Sequence, residues 1–130
     1  MKKLAMFLLL LIVLVVSMPF AGQSQKAYNT TKYKTTVKGL TATFTFAEGY
    51  FAGNEIKLYN KASRSISRFV PDTDTPKQNK ASKFIHYSPL AKTYSDFFLI
   101  QGLHVDTIPA KIYAVYYSKS RPVKFVLTKQ

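Results

Sequence analysis

Two histidines, six carboxylates and no cysteine are the side chains in this sequence that could hold a metal ion or move a proton at neutral pH. His104 and Asp106 stand two apart in the run His104-Val105-Asp106. Residues two apart on a strand point to the same side, so both could reach one ion while His86 completed the site from a neighbouring strand. The spacing is unconstrained, and the same pattern suits a polar strand end whose histidine is solvated or bonded to its neighbour. For nucleophilic catalysis, Ser, His and Asp are present, yet no Gly-x-Ser-x-Gly elbow marks a nucleophile and no thiol replaces one. Glycosidase chemistry needs two acids flanking a bond, whereas Glu48 and Glu55 sit in or beside turns. Asp72-Thr73-Asp74 opens like a calcium loop, but Pro76, Lys77 and Lys80 follow where a glycine, further oxygens and a closing glutamate belong. Each of these patterns is better read as ordinary turn or strand surface, and no cofactor or resident metal is expected. Asn29-Thr30-Thr31 matches a glycosylation sequon, which we treat as chance beside a short Met-Lys-Lys start of bacterial type.

The charge is the stronger signal. Nineteen Lys and Arg face six Asp and Glu, a formal +13, and nine tyrosines are interleaved with the cations. Surfaces usually mix both signs. Here the stretches 26–38, 57–68, 77–83 and 119–129 are all dominated by cations. Such a field attracts polyanions in a salt-dependent way, and a tyrosine beside a lysine can stack on a sugar or base while the cation holds an anionic group. The candidate contact residues are Arg64, Arg68, Lys77, Lys80, Lys83, Lys119, Arg121 and Lys124, with Tyr116 and Tyr117 as stacking platforms. The competing account is that the cations only keep the protein soluble.

The elements that must present these residues read as strands. Leu40 to Phe46 alternates apolar residues with threonine, the period of a strand with one buried face, placing Leu40, Ala42, Phe44 and Phe46 inward. Asn54 to Tyr59 repeats the pattern with Ile56 and Leu58 inward, and Ser65 to Val70 is expected to do so with Ile66, joined by Phe69, facing the core. Phe84–Tyr87, Phe97–Gln101 and Leu103–Ile108 are short apolar runs divided by Ser88-Pro89, Gly102 and Pro109. Ala91 to Ser95 is open to a helical turn. Lys111–Tyr117 and Val123–Thr128 are joined by a short polar link and read as a hairpin, the first strand central and the second nearer an edge, where Lys124 blunts pairing. Pro71 to Lys80 is a long surface loop. The fold class expected is all-β: a small antiparallel β-sandwich or barrel of about seven or eight strands, preceded by an N-terminal signal helix.

That helix is read from Lys2 and Lys3 followed by an uncharged run from Leu4 to Ala21, with small residues at Gly22 and Ser24. The domain plan is therefore a signal peptide over 1–24, a polar basic arm over 25–38 and a single β domain over 39–130. An uncleaved anchor over residues 4–21 is the alternative, since the run reaches spanning length. Both place the remainder outside the cytoplasm, secreted or periplasmic. With no cysteine after the run, a lipoprotein is excluded, and the domain must rely on its apolar core instead of disulfides. Loss of Lys2 and Lys3 leaves 17 cations against six carboxylates, a formal +11.

Together these features predict a non-enzymatic, exported β domain that binds an anionic partner at the cell envelope: an envelope polymer, a membrane surface or an acidic glycan. An acidic protein is a further candidate, and nucleic acid stays open. The first alternative is an inhibitor or immunity-type protein that offers the 71–80 loop to an acidic enzyme cleft. The second is a small metal-dependent hydrolase built on His86, His104 and Asp106.

Overall fold

The computed structural model describes residues 28–73, 81–90, 92–103 and 107–130, together with Lys3 and Met6. The expected signal segment otherwise lies outside the described residues, as do most of the 71–80 loop and residues 104–106. Eight strands follow one another around a closed antiparallel barrel: β1 (Thr30–Val37), β2 (Leu40–Ala47), β3 (Glu55–Asn60), β4 (Ser65–Pro71), β5 (Ala81–His86), β6 (Phe97–Gln101), β7 (Lys111–Tyr117) and β8 (Val123–Lys129). All eight, and every buried apolar residue of the core, lie between Tyr28 and Gln130.

Closure decides between the two architectures the sequence allows. β8 returns to β1 with Tyr33 opposite Lys129 and Lys34 opposite Thr128, and the Gln130 amide donates to the Lys32 carbonyl at 2.9 Å. β8 is consequently not an edge strand, and its Lys124 has no edge to protect. Another difference lies at the start, where eight residues of the stretch read as a polar arm form β1, paired with β2 along its whole length. A third concerns 103–108: Gly102, at φ +74°, turns the chain after β6, Leu103 drops into the core, and Thr107 and Ile108 are irregular. Nor do Lys92 to Ser95 form a helical turn.

One face of each strand fills the interior. Across the register, Tyr33 sits opposite Phe44, Phe44 opposite Ile56, Ile56 opposite Phe69 and Phe69 opposite His86. Phe84, Phe98 and Tyr116 continue inward on the next strands. Phe44 meets Phe84 edge-on at 5.9 Å, and Phe69 meets Phe98 edge-on at 4.8 Å, the offset geometries aromatic rings favour. The interior is thus a solid aromatic core, the reverse of membrane-spanning barrels, whose apolar side faces out. In β4 the inward set is Ser67, Phe69 and Pro71, while Ile66 is 69 % exposed. The Lys61–Arg64 turn sets this register, pairing Ser65 with Asn60 and so Ile66 with the outward Tyr59. A one-residue slip reverses every side chain of a strand.

The two ends of the barrel differ. β2, β4 and β6 end at a lower rim, where among the described residues a short 3-10 turn at Phe51–Gly53 lies against the core, buried Asn54 accepts the Ala47 amide at 2.7 Å, and the Tyr33 hydroxyl donates to the Pro109 carbonyl at 2.6 Å. The connections after β1, β3, β5 and β7 form the upper rim. The tight turn at Lys38-Gly39 has positive φ at both residues, as the primed turns that match strand twist require. In the next connection on this rim Asn60 Oδ1 accepts from the amides of Ala62 and Ser63.

Candidate functional site

Because each hairpin reverses direction, the turns after odd-numbered strands share one end. That rim displays Lys38, Lys61, Arg64, Lys92, Lys119 and Arg121, all exposed. Among the described carboxylates only Asp96 falls there. Glu48, Glu55 and Asp72 belong to the lower half, where Lys111 and Lys129 offset them. Among the described residues the barrel therefore has an electrical polarity that follows from up-and-down topology and the composition of its turns.

Asp96 is also internally committed. One carboxylate oxygen lies 2.8 Å from His86 Nδ1 and the other accepts the Tyr116 hydroxyl at 2.7 Å. Tyr94 stacks on the imidazole at 3.8 Å and 8°, and Phe69 packs against it at 4.9 Å. Burial first, then the hydrogen bond and charge of Asp96, push the Tyr116 phenol well above its ordinary range, so it stays a donor to Asp96 at neutral pH. These side chains floor an open cleft of about 570 Å³ whose walls include Thr93, Ser118, Lys119 and Ser120. The Ser118 and Ser120 hydroxyls bond each other at 2.9 Å, and among the described residues no hydroxyl bonds to His86.

The residues singled out from the sequence fall into several settings. Arg64 stands in the β3–β4 turn and Lys119 and Arg121 in the β7–β8 turn, brought to one rim. Arg68 points outward from β4, but its Nε lies 2.6 Å from Glu55 and its guanidinium covers the Tyr87 ring at 4.9 Å, so its charge is largely used. Lys83 lies over Phe97 at 4.6 Å, and exposed Lys124 shares its outward row through Leu99 and Val115. Tyr117 stacks on Phe97 at 5.0 Å. Tyr116 is not an outer platform, because its ring faces inward between Phe69 and Phe98. Lys77, Lys80, His104 and Asp106 lie outside the described residues, and among those described no three His, Cys, Asp or Glu gather to hold a metal. Lys38, Lys61, Lys92, Tyr94 and Asp96 were missed by reading charge along the chain. The signal that finds them is position in every second connection.

The outer wall is uneven. Its β1–β2 side carries Lys32, Lys34, Thr36, Thr41, Thr43 and Thr45. Its β5–β7 side carries Ile85, Phe97 and Tyr117 in one row and Leu99 and Val115 in the next. No family of proteins, no curated protein and no solved structure matches the chain.

Proposed function

We propose that this chain is an exported, non-enzymatic β-barrel that holds an anionic partner at its upper rim, outside the cytoplasm. The observation that carries the reading is the gathering of Lys38, Lys61, Arg64, Lys92, Lys119 and Arg121 at one end, with Asp96 turned to internal bonds. Cations kept only for solubility have no reason to favour alternate connections. Six exposed charges on a rigid rim reinforce one another within a screening length of about 8–10 Å, and lysine and arginine heads there are free of ion pairs among the described residues.

The test is binding to heparin as a soluble polyanion probe, followed against salt. Affinity is expected to fall steeply as sodium chloride rises. Each lost contact is worth about 1 kcal/mol, so reversing Lys119 and Arg121 to Glu together should weaken binding by roughly tenfold or more at low salt. Lys111→Glu on the lower rim should have much less effect. Salt-independent binding, or equal losses from either rim, overturns the reading.

A further inference from the structure

Resting on the reading of an anion-binding rim, we infer that the partner is a lipid bilayer with acidic head groups, and that the β5–β6 loop docks on it. Three large apolar side chains project from that loop into solvent: Tyr87 at 45 %, Leu90 at 76 % and Tyr94 at 47 % exposure, with Ile85 of β5 beside them at 40 %. Isolated exposed apolar residues are ordinary. Ile85 is joined by the register to the outward Phe97 and Tyr117, and Tyr87, Leu90 and Tyr94 stand at the rim that carries the cations.

The composition of this patch separates the possible occupants. A soluble polyanion would use the cations and leave Leu90 and the tyrosines in water. A second copy of the chain would cover the apolar side chains but bring Lys92, Lys119 and Arg121 against their own kind. An acidic bilayer satisfies both sets. Tyrosine rings favour the head-group layer, apolar body inward and hydroxyl toward water. Leucine at the tip enters the acyl boundary, and lysine stems lie along it while their ammonium groups reach phosphates. The Lys83 ammonium lies over the ring of Phe97, a cation held against the apolar patch. Arg68 sits over Tyr87, at the edge of the same patch.

The experiment uses a chain beginning at Gln25, which retains every strand and the whole described core and lacks the apolar run of the leader. Its sedimentation with vesicles of phosphatidylcholine mixed with phosphatidylglycerol is compared with that on phosphatidylcholine alone, with heparin binding measured in parallel. Strong binding to the mixed vesicles and weak binding to the neutral ones is expected. Leu90→Ser should lower partition onto mixed vesicles about five- to tenfold, the scale of removing one leucine from an apolar contact, and leave heparin affinity unchanged. Leu90→Trp gives the chain its one tryptophan, whose emission should shift to the blue on mixed vesicles. Heparin binding without vesicle binding overturns the bilayer proposal and leaves the anion-binding rim standing; so does a Leu90→Ser protein that partitions like the parent, or a tryptophan whose emission does not move. Failure on both heparin and vesicles ends the two together.

Discussion

Asp96 ties the β5–β6 loop to the barrel interior through His86 and Tyr116, beside the stack of Tyr94 on the same imidazole. Asp96→Asn removes the charge and one of the two carboxylate acceptors, so a loss of about 1–3 kcal/mol is expected in urea unfolding. The same change removes the Asp96 charge, one of the three causes that raise the Tyr116 phenol. Its spectroscopic titration should therefore move down toward the ordinary tyrosine range. High pH gives a second test at this scale. Tyr116 and Tyr33 both have raised values, Tyr116 as above and Tyr33 by burial and then the charge of Glu48. Each keeps its proton in the folded barrel where the unfolded chain would lose it. Their contribution to stability is complete below the unfolded value of about 10 and declines as pH rises beyond it. Tyr116→Phe should flatten the fall in stability between neutral pH and about pH 11, and an unchanged slope would assign the fall to other groups.

At the scale of elements, strands written by alternation were legible from sequence and those written otherwise were not. Leu40 to Phe46 and the final hairpin occur where their period-2 pattern places them, because a half-buried strand leaves that trace directly. β1 escaped because its inward face is Thr31, Tyr33, Thr35 and Val37, so polar side chains occupy both sides. Ile66 misled for the opposite reason: hydropathy points it inward, but the turn before it fixes the register. Leu103 shows that one apolar residue can plug a rim without belonging to a strand. The lower-rim turn makes its own demand. A Cβ on Gly53 would lie 2.7 Å from Tyr50 Cδ1, 3.0 Å from Ala47 Cβ and 3.1 Å from Tyr28 Cζ. Tyr50 can swing toward solvent, but Ala47 is buried in β2. Gly53→Ala should cost about 1–3 kcal/mol by overpacking, seen as a lower urea midpoint, with the anion-binding rim unaffected.

Over the whole molecule, all-β character could be read from the chain, but closure could not. Whether the last strand meets the first depends on accumulated twist and stagger, which no short window contains. The candidate site was half legible for the same reason. Lys119 and Arg121 stand out in any scan for charge, yet that Lys38, Lys61 and Lys92 join them depends on counting reversals around a closed ring. The apolar outer patch was least visible, since Ile85 and Phe97 fall in short apolar runs and only the register shows that they face outward.

The packed interior, with Tyr33, Phe44, Phe69, Phe84, Phe98 and Phe125 all fully or almost fully enclosed, decides how recognition must occur. Barrels that swallow a guest measure it, and reject what is too long. This one is filled by its aromatic rings, which leaves its surface and the open cleft at the upper rim as the places where a partner can be met. Under the proposed reading, the number of barrels seated on an extended target grows with the length of that target, while each is held by the same surface contacts.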